Sequence, residues 1–377
     1  MKHGATDFRL MWVNTLTAIL RDKGVLLLLL GAPLVYAFFY PWPYSRQAVV
    51  QIPVMVVDQD QSSLSRQITR LAGASPRLAL VGVTANEAEA QDALWRGDIK
   101  GYALLPANLK RHVVRGEAAV VTIEGNGAYA LLNKAVLYGF SEAIGTVSAG
   151  VEIKKLQASG QSAGQARASR QPVTTQLVAL FNPTEGYGSY VVPAVAVLIL
   201  QQTLLMGAAM LMGALVEADQ HRTSASGWLA RILALSCFGW LSGLFYFGWM
   251  LVMQDYPRGA NLWGGLVLLA LYVPTISTMG LLLGAWCKDR ERAIQVLLFS
   301  ALPMVFLSGF SWPVEALPTA LQWLRWLLPS TSGIQAALHL NQMGASLADV
   351  STYLYTLIGL GLSGGLILVA STPLRSE

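Results

Sequence analysis

Four polar side chains set in otherwise apolar runs have the clearest chemical potential: Gln201, Gln202, Thr275 and Ser277. In hydrocarbon, such amides and hydroxyls either line a path for cargo or hydrogen-bond neighbouring helices, and both readings stand for each residue. Ser236, Ser242 and Thr278 share that setting. Bond-making chemistry has no comparable set. No phosphate-cradling P-loop, nucleophile elbow, HExxH helix or CxxC pair is recognisable. His3, His112, His221 and His339 are scattered without metal-ligand spacing, so no metal, catalytic or cofactor-binding residues are expected. Cys237 and Cys287 both fall in or beside apolar runs, which excludes a disulfide framework elsewhere. The residues point to holding or moving something.

The elements that would position these groups are membrane spans. The chain has 377 residues, 54% hydrophobic and 12% charged, well below the charge of an ordinary soluble protein. Six apolar runs are long enough for a hydrocarbon core about 30 Å thick, near 24–41, 189–213, 232–254, 264–286, 294–311 and 351–371. The first reads as a retained anchor: Arg21 and Lys23 flank one end and Tyr40, Trp42 and Tyr44 the other, with no small-x-small cleavage site. None of the six runs contains Asp, Glu, Lys or Arg. Ion-coupled transporters need ionisable groups near the midplane, so energy is expected from a partner.

Charge placement sets an orientation. Lys2, Arg9, Arg21, Lys23, Arg222, Arg231, Lys288, Arg290, Arg292 and Arg375 fall on one side, against Arg258 and Arg325 in the short loops of the other. The positive-inside rule then puts both termini in the cytoplasm and 42–188 outside. The formal net charge of +5 reflects topology, and no nucleic-acid partner is expected. The fold class is a polytopic α-helical membrane protein, with six transmembrane helices plus an extracytoplasmic α/β domain.

That domain alternates strand-like and helix-like runs over about 140 residues. Strands are expected at Val49–Val57, Leu78–Val83, Lys100–Leu105, Ala118–Glu124 and Thr174–Leu180. Helices start after Ser62 or Ser63 and after Asn86, and a long one covers Ala128–Ala158. The Gly/Ser/Ala/Gln-rich stretch 159–169 is expected to bend or fray. Before the first span, residues 1–23 form a cytoplasmic amphipathic segment with Phe8, Met11, Trp12 and Leu16 on one helical face. After the fifth run, Gly309 and Pro313 permit a turn into a re-entrant segment, 312–330, held at the interface by Trp312, Trp323 and Trp326. Pro329 ends it. Two charged loops could receive force, 214–231 and Lys288–Arg292; in the first, Trp228 and Leu229 are expected to form a short helix along the membrane.

These features, in order, resemble the permease subunit of the type-2 ABC transporter family, in the branch with a large periplasmic insertion. The resemblance covers essentially the whole chain and rests on Leu20-Arg21-Asp22, VVDQDQSSLSRQI at 56–68, Phe181-Asn182-Pro183 and the Leu307–Pro329 region. It implies outward transport of a drug, lipid or lipid-linked molecule through the bacterial inner membrane. Two ATP-binding subunits would carry ATP and Mg, and a second permease copy or homologous permease would complete the channel. Members of this branch often work with a periplasmic adaptor and an outer-membrane channel. The resemblance assigns ATPase coupling to Phe8, Met11, Trp12 and Leu16 and to Glu217, Asp219, Arg222, Thr223, Trp228 and Leu229. The family's ERExGT loop pattern is only approximated here by Glu217, Arg222 and Thr223. Two other classes stay open: a membrane-anchored receptor or assembly scaffold acting through its outer domain, and a secondary transporter.

Overall fold

The computed structural model describes residues 2–173, 178–259 and 261–371. The expected strand at 174–180 falls mostly, and the tail over 372–377 wholly, outside the described residues. The chain forms two compact units, Ala48–Val178 and the remainder.

The smaller unit is built on the β-branched run Ile52–Asp58 (β1), which is buried because it is central. Leu78–Thr84 (β2) and Gly101–Leu105 (β3) pair with it in parallel, and Thr122–Gly125 (β4) pairs antiparallel to β3, giving the order β2-β1-β3-β4. Helices Ser63–Gly73 and Ala130–Ala158 contribute to the core on one face, and Glu87–Arg96 to that on the other. Asp58 ends β1 and organises the turn into the first of these helices. Its carboxylate accepts from the backbone N–H groups of Asp60 and Gln61 and from Ser65 Oγ at 2.8 Å, next to a Ser62–Ser65 capping box. The stretch expected to fray instead contains a helix, Ala163–Arg170, because Ser162 and Gln165 cap its start reciprocally.

The larger unit is helical. Among the described residues, five helices are long and apolar enough to cross a membrane: Lys23–Tyr44, Tyr187–Glu217, Ala225–Met253, Leu262–Cys287 and Ser351–Ser371. Tyr187–Glu217 is the hub, packed against four other long helices and buried along most of its length. Pro193, Pro274 and Pro303 all lie inside helices, as the apolar runs require. The expected run at 294–311 is the helix Arg290–Leu307, which opens with Arg290, Glu291 and Arg292 and is not one of the five.

Beyond it, short 3-10 and α turns occupy 314–327, inside the expected re-entrant segment. The chain then makes a second buried helix, Pro329–Ala337, continued by a wider turn over Leu338–Gln342. Pro329 at its first position is pre-set for helix entry. Gly333 lets this helix approach the Tyr272 ring: a Cβ there would overlap Tyr272 Cε2.

Candidate functional site

Asp22 organises the charged end of the helical unit. Its Oδ1 accepts from Gly24 N at 3.0 Å and Val25 N at 3.1 Å, capping the first span. Its Oδ2 accepts from Arg290 Nη2 at 2.9 Å. The backbone N–H of Arg290 donates to Glu217 Oε1 at 3.3 Å, and Asp289 caps the 290–307 helix. One arginine therefore joins the start of the first span, the end of the second and the head of the 290–307 helix.

The expected loop is shorter than the sequence suggested. Glu217 ends the second span, and Asp219 (φ +53°) and Arg222 are exposed, whereas Thr223 is buried. Ser224 then accepts from Gly227 N and starts the third span at Ala225. Trp228 and Leu229 consequently lie in the first turns of that span and form no separate membrane-parallel helix. Trp228 is buried and Leu229 exposed. Arg231, expected outside the apolar run, is inside the helix and 2% exposed. Its guanidinium donates to the carbonyls of His221 and Gln220 at 2.5 and 2.7 Å and lies 4.9 Å from the Trp228 ring.

The helix Lys2–Arg21 packs along Ala225–Leu244. Phe8, Met11, Trp12 and Leu16 are half-buried, on the same face as buried Thr15 and Ile19. Leu10, Val13 and Leu20 form the exposed stripe opposite.

Within the bundle, Gln201 accepts from Tyr272 OH at 2.9 Å and points its amide nitrogen at Met304 Sδ, 3.3 Å away. Gln202 reaches the same sulfur at 3.4 Å. Ser277 meets Ser236 at 3.3 Å, and Thr275 Oγ1 donates to the carbonyls of Leu271 and Leu357. All four candidate path residues thus join helices, Gln202 from a half-buried position. Thr275 also reaches a groove of about 420 Å³ along the third, fourth and last spans, lined by Trp228, Leu229, Ile232, Leu271, Leu362 and Leu366 among others. Thr278 Oγ1, in the same wall, donates to Pro274 O, so both hydroxyls are committed to backbone. Gly365 faces open space there.

The opposite end of the unit is aromatic. Tyr40, Tyr44, Tyr187, Tyr190 and Phe310 follow one another with ring centroids 5.6, 5.6, 6.0 and 6.5 Å apart. Tyr190 OH donates to Phe310 O. Gly309 turns the chain at φ +81°, and Pro313 precedes the first 3-10 turn. Trp312 and Trp323 are exposed, whereas Trp326 stacks on Tyr353 at 5.8 Å beneath Arg325.

One sequence spacing, Gly160-Gln161-Ser162-Ala163-Gly164, does match a nucleophile elbow. Ser162 is a helix cap whose Oγ accepts from Gln165 N, and the long helix Ala130–Ala158 precedes it where an elbow needs a strand. No group of three or more His, Cys, Asp or Glu among the described residues could hold a metal.

The sequence pattern of a known family, described as ABC-2 family transporter protein, matches residues 23–371. The chain belongs to the ABC-2 transporter family. It is accordingly a multi-pass membrane protein and a transport permease subunit, not itself the enzyme, and it partners an ABC ATP-binding subunit. The match begins at Lys23, so the helix Lys2–Arg21 lies outside it. No curated protein matches the chain.

Proposed function

We propose that this permease exports a hydrophobic or amphipathic substrate, a drug, lipid or lipid-linked molecule, outward across a bacterial inner membrane. The groove beside Leu229 and Thr275 carries the reading. Its walls are largely apolar and its two threonine hydroxyls are already bonded to carbonyls, so it offers mainly shape and apolar surface to a cargo. In this reading the charged end faces the cytoplasm with both termini, 42–188 is periplasmic, and the 290–307 helix completes a sixth crossing.

ATP and Mg act on the partner ATPase, which docks at Glu217–Leu229 and the helix before the first span. A second permease copy or a homologous permease completes the path, and the Ala48–Val178 unit receives an adaptor leading to an outer-membrane channel. The test is reconstitution of the permease and its ATPase in proteoliposomes, with ATP-driven transfer of fluorescent amphiphiles between leaflets as the readout. Transfer that ignores ATP, or no stimulation of ATP hydrolysis, sinks the proposal.

A second reading has one observation in its favour. The smaller unit holds a hollow of about 470 Å³ lined by Val49, Leu71, Pro76 and Ala143, with the 3.2 Å Arg77–Glu142 ion pair in its wall. A receptor or scaffold would work through that hollow and would survive disruption of residues 217–229, which an exporter would not.

A further inference from the structure

A buried arginine at the edge of a membrane span demands an explanation, because an uncompensated charge there is costly and tends to mark a functional site. None of the ion pairs among the described residues involves Arg231. Its partners are the His221 and Gln220 carbonyls, ten and eleven positions earlier in the chain, and the face of Trp228. The loop these carbonyls belong to closes onto the second span: Ala218 N donates to Ala214 O, Asp219 N to Val216 O and Gln220 N to Leu215 O. Asp219 holds a left-handed backbone at φ +53° to allow this.

We propose that Arg231 is a positioning residue that fixes the 218–224 loop in the shape its ATP-binding partner receives. The planar guanidinium suits the task because it can donate to two carbonyls at once while lying on an indole. The loop keeps only part of its family's charged pattern, and the clamp holds it from within, using a residue of the next span. This rests on the coupling role proposed above for the loop.

Hydrogen exchange on the full-length permease in nanodiscs reads the clamp without any ATPase. The amides of Asp219 and Gln220 donate to Val216 O and Leu215 O and should therefore be protected in the native loop. In Arg231→Met, whose apolar chain can still lie on Trp228, both charge-assisted hydrogen bonds are lost and exchange should accelerate at least about tenfold. Exchange in the fourth and last spans should stay unchanged. Arg231→Lys keeps the charge but loses the fork, and should fall between; if the Met variant does not fold, Arg231→Lys and Arg231→Gln carry the comparison.

Unchanged exchange at Asp219 and Gln220, or acceleration spread evenly through the bundle, overturns the clamp. A second arm titrates the ATP-binding subunit onto wild type and Arg231→Met. The expected result is affinity weakened about tenfold, with ATP hydrolysis restored at saturating partner. Loop opening with unchanged affinity overturns the residue's part in coupling and, separately, the docking role assigned to the loop.

Discussion

Replacing Asp22 separates two jobs that one carboxylate performs. Asp22→Asn keeps an oxygen for the Gly24 and Val25 amides but removes the charge facing Arg290. At 2.9 Å and an effective dielectric of ~20 the raw attraction is about 6 kcal/mol. The two side chains are 21% and 32% exposed, so solvent screening and desolvation reduce the net value to about 1 kcal/mol. The cap contributes about 1 kcal/mol more. Asp22→Asn should therefore lower the midpoint of thermal unfolding by about 2 °C and Asp22→Ala by about 4 °C. Arg290→Met should match Asp22→Asn, and the double variant should be no worse than either, a coupling of about 1 kcal/mol. Fluorescence-monitored unfolding in nanodiscs measures all four proteins. Additive single effects, with coupling below about 0.3 kcal/mol, would refute the bridge as a stabilising contact.

Three further outcomes are expected. Gly333→Ala drives a methyl into the buried Tyr272 ring and should cost about 1–3 kcal/mol; a thermal midpoint equal to wild type would show that the second buried helix is not packed as described. Gly365→Leu has open space around it and should leave stability unchanged while filling part of the groove, so ATP-driven amphiphile transfer should fall severalfold in a vesicle assay. In the smaller unit, burial together with the 2.6 Å hydrogen bond to Glu124 pushes the Tyr102 hydroxyl up to about 12. Its stabilising contribution is whole below the ordinary phenol value near 10 and is lost as pH rises from about 10 to about 12. Tyr102→Phe should flatten that alkaline loss in a pH series of unfolding curves.

The strands and long helices were legible because period and turn chemistry agree with burial there. The Ile52–Asp58 run is β-branched, Ser62 and Asn86 are good caps, and five of the six apolar runs fall in helices long and apolar enough to cross a membrane. The helix at 329–342 was not legible. Ser330, Thr331, Ser332, Gln335, His339 and Asn341 make it polar, and its burial depends on Tyr272 and the second span, partners distant in sequence. Hydropathy places the start of the third span too late for a related reason. Hydropathy stops at a charge, so Arg231 hid the six helical residues before it, while the Ser224 cap that sets the true boundary is one hydroxyl among several. For the candidate site, residue types could locate Gln201 and Thr275 in the membrane but could not distinguish a buried helix contact from a groove wall. Only the Leu357 carbonyl, 82 positions away, and the space beside Gly365 separate them.

The chain of rings from Tyr40 to Phe310 has a mechanical consequence. It fastens the turn at Gly309 to the ends of the first two spans, so a rotation of the 290–307 helix would turn about that point. Eighteen residues give the helix an arm of about 27 Å. A swing of about 10° there would move its far end about 5 Å, more than the 2.9 Å separating Arg290 from Asp22. The ion pair and the Glu217 contact lie at the end where small rotations become large displacements, and both would have to part in any such swing.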